Sequence, residues 1–242
     1  MYSALAKFYE KLNDNCDRET WSHYLISLLG ELCGDPGKLE GADLGCGTGG
    51  LTALLARETR IAAACDLSPE MLSAASARPG LAGVPLVQCD FSQFRAPHRL
   101  NFLNAADDAF NYLPPADLKK TFARLRAQLK GDGVLLFDLS SPHKLRNVLG
   151  NNLFFDDGEE LSMFWQSELC ENAVKFSLTF FERTESGLYR RTEEEQTQYI
   201  HEPAEVLQAL ADAGFSERYA YDGFTRAPVR PDSLRIQFAA RR

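Results

Sequence analysis

Four aspartates each follow a short apolar run of the kind that forms a buried β-strand: Asp43, Asp66, Asp90 and Asp138. The carboxyl ends of parallel strands meet at one edge of a sheet, where open α/β sheets bind their ligands. A carboxylate accepts several hydrogen bonds and can meet two adjacent hydroxyl groups at once. Four acids at one edge would repel one another unless a ligand engages them or the fold spreads them out. The pattern favours a ligand site at this edge, although any single aspartate could instead cap a helix.

A glycine-rich segment joins the first of these strands to a helix, with the sequence Ala-Asp-Leu-Gly-Cys-Gly-Thr-Gly-Gly-Leu-Thr at 42–52. Gly45 permits a sharp turn, and Gly47 leaves no side chain between the backbone and a bound cofactor. The helix that follows begins with free N–H groups, which can hold a carboxylate or a phosphate. The segment therefore predicts a cofactor-binding turn.

Two spacings can be recognised in this turn. Gly45, Gly47 and Gly50 fit the dinucleotide pattern G-x-G-x-x-G, which is weak by itself. A tighter pattern places Asp43 two residues before the first of three alternating glycines. Asp66 lies at the distance expected for an acid on a ribose hydroxyl in either case. Spacing alone therefore leaves two cofactor classes open.

The tighter pattern resembles the class I S-adenosylmethionine-dependent methyltransferases, whose first motif reads D-L-G-C-G-T-G, as residues 43–49 do here. The resemblance covers about 41–140 with specific motifs. It implies S-adenosyl-L-methionine as cofactor and S-adenosyl-L-homocysteine as product. Asp43 would lie near the cationic methionine part of this methyl donor, and Gly45, Cys46 and Gly47 would form the turn against it.

The resemblance also implies roles for residues after the next two strands. Asp66 looks like the acid that accepts from both ribose hydroxyls, and Asp90 like the acid that accepts from the adenine amino group. Phe91 would lie against the adenine ring. Leu67 and Met71 would supply apolar walls.

The fourth strand departs from the family pattern, which usually has an aspartate near its start where this chain reads Leu-Asn-Phe-Leu-Asn at 100–104. The resemblance still implies that the backbone carbonyls of Asn104, Ala105 and Ala106 bind the amino group of the donor. In the family, the N-terminal segment often folds over the donor, which makes Tyr9 a candidate for lining the pocket.

Residues 108–113 are similar to a D-x-x-N-Y-L segment of small bacterial methyltransferases. This similarity makes Asn111 and Tyr112 candidate substrate residues, with helix capping or packing as the alternative role of each.

Strand-like and helix-like segments alternate from Gly41, which is typical of a parallel sheet covered on both faces. The spacing of apolar residues predicts a helix at 18–33, before this region. It also predicts a helix that carries Leu118 and Leu129, followed by a strand at 134–137. Together with the resemblance, this predicts an α/β fold with a doubly wound, mostly parallel, seven-stranded Rossmann-like sheet. The last two strands would form an antiparallel hairpin.

Apolar residues alternate with polar ones in Leu161–Leu169 and Val174–Arg183, and a more polar run covers Tyr189–Ile200. These runs predict an antiparallel β subdomain inserted into the core. We expect 1–145 and 201–242 to form the core that binds the donor, and 146–200 to form a substrate lid. Most aromatic residues of the insertion would pack its core, but Trp165 is a candidate for contact with a cationic or planar acceptor.

The chain has 242 residues and a formal net charge of −8, which argues against a broad nucleic-acid surface. A small-molecule acceptor is therefore expected, and nucleic acid is not.

No apolar run is long enough to cross a membrane and no signal peptide is recognisable, so the expected location is cytoplasmic. The six cysteines form no C-x-x-C pair, and no metal site is predicted. The oligomeric state stays open.

Methyl transfer from a sulfonium requires mainly orientation of the reactants, and a general base only where the acceptor loses a proton. The sequence assigns no catalytic residue. The leading hypothesis is an S-adenosylmethionine-dependent methyltransferase acting on a small molecule. The alternatives are an NAD-type oxidoreductase, although no Y-x-x-x-K pair is present, and a module that binds S-adenosylmethionine without catalysis.

Overall fold

The first element of the computed structural model, which describes residues 17–242, is helix α1 at Arg18–Cys33. It begins at Asp17, whose carboxylate accepts the N–H of Thr20 at 3.0 Å, and it ends at Gly34. The predicted helix at 18–33 is confirmed. Tyr9 lies outside the described residues.

A seven-stranded sheet forms the centre of the fold. Its strands are β1 (Glu40–Leu44), β2 (Arg60–Asp66), β3 (Leu86–Gln88), β4 (Leu100–Ala105), β5 (Leu129–Ser140), β10 (Glu217–Asp222) and β11 (Arg235–Arg241). Their order is β10-β11-β5-β4-β1-β2-β3. Strands β1 to β5 pair in parallel, and β11 is antiparallel to both β5 and β10. The predicted mostly parallel sheet with a final hairpin is confirmed.

Helices cover both faces of this sheet, as in a doubly wound fold. They are α1, α2 (Gly50–Glu58), α3 (Pro69–Ser76), α4 (Leu118–Ala127) and α5 (Pro203–Asp212). One apolar cluster packs α4 and α5 against one face, with Phe122 and Leu210 at its centre. Another packs α1 and α2 against the opposite face through Leu28 and Leu55. The near-continuous apolar strands are buried between these two layers.

The boundary between α4 and β5 differs from the prediction. The spacing of Leu125 and Leu129 suggested one helix through both residues, but α4 ends at Ala127 and Leu129 starts β5. Leu129 pairs with Leu100 of β4. The pairing of the two strands, and not the helical spacing of Leu129, therefore determines its conformation. The strand is therefore much longer than the predicted 134–137.

A second, antiparallel sheet has the order β6-β7-β8-β9. Its strands are β6 (Leu153–Asp157), β7 (Leu161–Leu169), β8 (Ala173–Arg183) and β9 (Tyr189–Tyr199). The three predicted runs are confirmed as β7, β8 and β9, whereas β6 was missed. Strand β6 lies at the sheet edge and is mostly exposed, so it lacks a clear alternation of buried and exposed residues.

A one-turn π-helix, Lys144–Leu149, leads from β5 to this sheet. Leu145 and Leu149 of that turn pack with Phe176 and Phe180 of β8 in a separate apolar cluster. Among residues 17–242, no helix is long and apolar enough to cross a membrane.

Candidate functional site

A cavity of about 970 Å³ lies between the carboxyl ends of the parallel strands and the second sheet. The central sheet and its loops contribute Gly47, Asp66, Asp90 and Arg235 to its lining, among others. The second sheet contributes residues of β7, β8 and β9. The volume is in the range of pockets that hold ligands, and it is large enough for a nucleoside donor together with a small acceptor.

The glycine turn after β1 forms part of the cavity lining. Gly45, Gly47 and Gly49 have φ angles of 70°, 54° and 75°, a region that side chains with a Cβ rarely adopt. A Cβ at Gly47 would meet no atom of residues 17–242 within 4 Å. A Cβ at Gly49 would instead lie 2.4 Å from Leu81 Cδ1. Gly47 therefore gives a ligand access to the backbone, whereas Gly49 permits packing.

Asp66 at the end of β2 is tied to this turn. One carboxylate oxygen accepts the N–H of Gly47 at 2.8 Å, and the other accepts the N–H of Ser68 at 2.9 Å. Burial raises the pKa of Asp66 despite these two bonds. The carboxylate lies at the cavity with a fixed orientation and spare lone pairs, which suits two neighbouring hydroxyls.

Asp90 and Phe91 follow β3 at the same edge. The Asp90 carboxylate accepts the N–H of Ser92 at 2.8 Å and caps a short 3₁₀ turn, Phe91–Gln93. The ring of Phe91 packs against Phe110 with centroids 4.9 Å apart. Asp90 therefore caps this short turn, the alternative role that the sequence left open, and it also lines the cavity.

Asp43 is buried instead of lining the cavity. Thr52 Oγ1 donates to one of its oxygens at 2.5 Å, and Asn104 Nδ2 donates to the other at 2.7 Å. Burial raises the pKa of Asp43 to about 6. The carboxylate thereby joins β1, the first turn of α2 and β4 beneath the glycine turn.

Nine predicted site residues come together at the cavity: Gly45, Gly47, Asp66, Leu67, Met71, Asp90, Phe91, Tyr112 and Trp165. Six others do not line it: Asp43, Cys46, Asn104, Ala105, Ala106 and Asn111. Asn111 is fully buried, where it accepts the N–H of Ser140 at 2.9 Å and donates to the carbonyl of Tyr199 at 3.0 Å. In this structure Asn111 thus adopts the packing alternative and ties the two sheets together.

The sequence interpretation missed a partly buried ionic cluster beside the cavity, in which Asp138 is fully buried. Arg235 Nη1 donates to the Asp138 carboxylate. Arg235 Nη2 lies 3.4 Å from Oδ1 of Asp107 and 3.4 Å from Oδ1 of Asp108. Asp138 also accepts the backbone N–H groups of Asp107 and Asp108 at 2.8 and 3.1 Å. Burial raises the pKa of Asp138 to about 6, with Arg235 opposing the shift. Arg235 is further packed over the ring of Trp21, with its Cζ 5.0 Å from the centroid.

The sequence interpretation also missed a polar face on β9. Gln196 and Gln198 are buried there and line the cavity. Tyr112 Oη donates to Gln196 Oε1 at 3.0 Å, and Gln198 Nε2 donates to Tyr112 Oη at 3.2 Å. The alternation of polar residues along β9 was visible, but which side faces inward was not.

A family model described as "Methyltransferase domain" matches residues 42–133. A protein of Geobacillus sp. (strain WCH70), named a putative methyltransferase, is 30% identical over 246 aligned positions, covering 100% of this chain and 99% of that protein. The chain belongs to the class I S-adenosylmethionine-dependent methyltransferases. Membership in this family favours the methyl donor over the dinucleotide that spacing alone left open.

Solved structures agree with this assignment. An S-adenosylmethionine-dependent methyltransferase from Clostridium acetobutylicum is 28% identical, with a TM-score of 0.85 and coverage of 99% of this chain and 98% of that chain. The sugar N-methyltransferase KedS8 from Streptoalloteichus sp. is 21% identical, with a TM-score of 0.80 and coverage of 96% and 90%. This methyltransferase therefore shares its whole fold, including the second sheet, with such proteins.

Proposed function

We propose that this methyltransferase transfers the methyl group of S-adenosyl-L-methionine to a small-molecule acceptor in the cavity and releases S-adenosyl-L-homocysteine. The observation that carries the proposal is the contact between Asp66 and the N–H of Gly47 at the cavity lining. It brings the turn that gives a ligand access to the backbone next to an acid that can accept ribose hydroxyls.

In this proposal, the donor lies along the carboxyl ends of β1, β2 and β3. Asp66 accepts the ribose hydroxyls, and Asp90 accepts from the adenine amino group. Phe91 packs against the adenine ring, while Leu67 and Met71 form apolar walls. All five residues line the cavity, which supports this placement.

We propose a supporting role for Asp43 in place of direct contact with the donor. Its two carboxylate oxygens are occupied by Thr52 and Asn104. By joining the ends of β1 and β4 to α2, Asp43 fixes the turn that presents Gly45 and Gly47. The same contact accounts for Asn104, whose side chain is directed to Asp43.

The sulfonium donor is already activated, so the protein needs mainly to orient the two reactants and exclude water. Positioning of this kind supplies about 7–11 kcal/mol of barrier reduction in favourable cases. The second sheet, with Trp165 and Phe176, closes the side of the cavity opposite the glycine turn. We therefore propose that residues 146–200 form the acceptor side and that 1–145 with 201–242 form the donor side.

Two features support a small acceptor. The cavity of about 970 Å³ lies between two sheets and would hold a donor and a small molecule together. The net charge of −8 also disfavours a nucleic acid. KedS8, which shares the fold, is a methyltransferase of sugars by its name.

The experiment supplies the purified protein with S-adenosylmethionine labelled in its methyl group and with bacterial extract separated into small-molecule, protein and RNA fractions. Label transferred only in the small-molecule fraction is the expected result. Label in protein or RNA would overturn the small-molecule proposal. Donor binding without transfer in any fraction would favour the non-catalytic alternative.

A further inference from the structure

Asp108 lies at the cavity between the glycine turn and the second sheet. It follows β4 and precedes a short 3₁₀ turn, Ala109–Tyr112, and its side chain is 14% exposed at the cavity lining. The next residue, Ala109, packs so close to the glycine turn that a Cβ at Gly45 would lie 3.2 Å from the Ala109 Cβ. The Asp108 carboxylate accepts from Gln198 Nε2 on β9 at 2.5 Å, which bonds it to the second sheet. Asp108 is therefore placed where the proposed donor side meets the proposed acceptor side.

The backbone at Asp108 has a conformation that is unfavourable for a residue with a side chain. Asp107 and Asp108 have φ angles of 61° and 51°, in the left-handed region. The buried Asp138 carboxylate accepts the backbone N–H groups of both residues, at 2.8 and 3.1 Å. Asn111 bonds the turn that follows to Ser140 of β5. The surrounding structure thus fixes two consecutive strained residues, which is a common feature of functional sites.

One oxygen of the Asp108 carboxylate is left for a ligand. Oδ2 accepts from Gln198, whereas Oδ1 has only a contact of 3.4 Å with Arg235 Nη2, longer than the about 2.8 Å of a strong charged hydrogen bond. Gln198 Oε1 has no hydrogen-bond partner within residues 17–242, although the Gln198 side chain is only 6% exposed and lines the cavity. Two bonded side chains therefore each offer an acceptor oxygen, which suits a ligand group that donates hydrogen bonds.

Other titratable groups at the cavity are less suited to accept a proton from such a ligand. Asp66 and Asp90 belong to the proposed donor site. The ammonium group of Lys144 only donates, and the Tyr112 hydroxyl already has a protein acceptor. Further carboxylates at the cavity lining are more exposed than that of Asp108: Asp107, Asp117 and Glu195. Asp108 therefore combines an available oxygen with shielding from water.

We infer that Asp108 is the catalytic base of the methyl transfer and that Gln198 orients its carboxylate. This inference rests on the proposed methyltransferase function and adds a residue that takes part in the reaction. The nucleophilic N–H or O–H group of the acceptor donates a hydrogen bond to Asp108 Oδ1. Its proton moves to this oxygen as its electron pair forms a bond to the methyl carbon. The C–S bond breaks and sulfur keeps the electron pair. The products are the methylated acceptor and S-adenosylhomocysteine with a neutral sulfur, and Asp108 then releases its proton to solvent.

The test measures the transfer of label in single turnovers. The full chain is saturated with methyl-labelled S-adenosylmethionine and mixed with one batch of the small-molecule fraction of bacterial extract. Calorimetry gives the Kd of the donor, and urea unfolding gives the stability of each protein.

Two variants remove the base in different ways. Asp108→Asn keeps the shape of the side chain, and asparagine tolerates a positive φ angle. Asp108→Gly suits the same φ angle and leaves room for a formate ion in place of the carboxylate. Asp132→Asn removes an exposed carboxylate from β5 and is the control.

We expect Asp108→Asn and Asp108→Gly to lower the rate constant of transfer by roughly 100-fold or more, since a general base typically contributes about 10²- to 10⁴-fold. The Kd of S-adenosylmethionine should stay within about threefold of the parent value in both. Added formate should raise the rate of Asp108→Gly by about tenfold or more, because it supplies a carboxylate in the vacated space. It should not raise the rate of Asp108→Asn, whose side chain fills that space. Asp132→Asn should match the parent in every measurement.

Transfer by Asp108→Asn at close to the parent rate would overturn the inference and leave the proposed function intact. Slow transfer by Asp108→Gly that formate does not restore would overturn the role of Asp108 as a base. A large loss of donor affinity or of stability in both variants would show a structural role instead, and would also overturn it. Failure of the parent protein to bind the donor, or to transfer label to any fraction, would remove the proposed function itself.

Discussion

Asp66 Oδ2 accepts the backbone N–H of Gly47 at 2.8 Å, so the acid that follows β2 is bound directly to the glycine turn that follows β1. The two residues are 19 positions apart in sequence. The parallel pairing of β1 with β2 brings them together, because Leu44 at the end of β1 lies opposite Cys65. One contact thereby sets both the shape of the turn and the direction of the carboxylate.

Replacement of Asp66 by alanine should weaken the binding of S-adenosylmethionine. The variant loses the proposed bonds to the ribose hydroxyls and the bond that holds Gly47. Hydrogen bonds to a charged group contribute about 1.5–3 kcal/mol, so we expect a Kd roughly 10- to 100-fold higher by calorimetry. Asp132→Ala removes an exposed carboxylate from β5 and should leave the Kd unchanged. Equal Kd values for Asp66→Ala and the parent would remove the ribose assignment.

Replacement of Gly47 by alanine should separate backbone strain from obstruction of the donor. Gly47 and Gly187 both have positive φ angles, 54° and 74°, and in the described part of the chain a Cβ at either would meet no atom within 4 Å. Each alanine variant should lose about 1 kcal/mol of stability in urea unfolding because of its φ angle. Only Gly47→Ala should lose donor affinity, because its methyl group enters the cavity. Normal donor binding by Gly47→Ala would show that the donor does not approach this turn.

The turn and Asp66 could be predicted from the sequence because each depends on a few adjacent residues. Gly45, Gly47 and the acid at the end of β2 form local motifs whose conformations follow from residue type. The partners of Asp43 could be found only once β1 and β4 are paired, because Asn104 is 61 residues away. The sequence alone therefore could not show that the Asp43 carboxylate is held by Thr52 and Asn104 beneath the turn.

Arg235 illustrates why other parts of the site were missed. It lies in β11, 97 residues after Asp138, and it reaches the cavity only because β11 pairs with β5 in antiparallel register, with Arg235 opposite Ser140. Strand β6 was missed for a different reason, since an exposed edge strand has little hydrophobic pattern. The pattern of residue types predicted strand β9 correctly. The bond from Gln198 to Asp108 could not be predicted in this way, because the two residues are 90 positions apart in sequence.

Arg235→Met should destabilise the protein strongly. The variant leaves the fully buried carboxylate of Asp138 without its cationic partner and keeps Asp107 and Asp108 nearby. Removing one partner of a buried ion pair costs about 3–5 kcal/mol, which urea unfolding would measure. Arg230→Met provides the control, because Arg230 pairs with Asp222 on the surface and its loss should cost less than about 1 kcal/mol. A similar, small effect of both variants would contradict the description of Arg235 as the partner of the buried Asp138 carboxylate.

The titration of Asp43 should make the folded protein less stable as the pH rises, because the pKa of Asp43 in the folded protein is about 6, above the usual aspartate value of 3.8. Between these two values the folded state holds a proton that the unfolded state has released. The free energy of unfolding therefore falls as the pH rises through 6, and the contribution of this group is most favourable at acidic pH. The variant Asp43→Asn lacks this titrating carboxyl group. Other titrating groups, including Asp138, are present in both proteins, so the difference in stability between the two isolates the contribution of Asp43.

The measurement is urea unfolding of the parent and of Asp43→Asn at pH 5 and pH 8. Between these pH values the parent should lose about 1.4 kcal/mol relative to the variant. A constant difference between the two proteins would show that Asp43 does not titrate in this range. A change of the opposite sign would mean that its pKa is lowered in the folded state.

The most direct test of the account is calorimetry of the purified protein with S-adenosylmethionine, S-adenosylhomocysteine and NAD in parallel. We expect the first two to bind with Kd values on the order of micromolar and NAD not to bind. Binding of NAD in place of both sulfur compounds would contradict it, because the turn around Gly47 would then serve a dinucleotide.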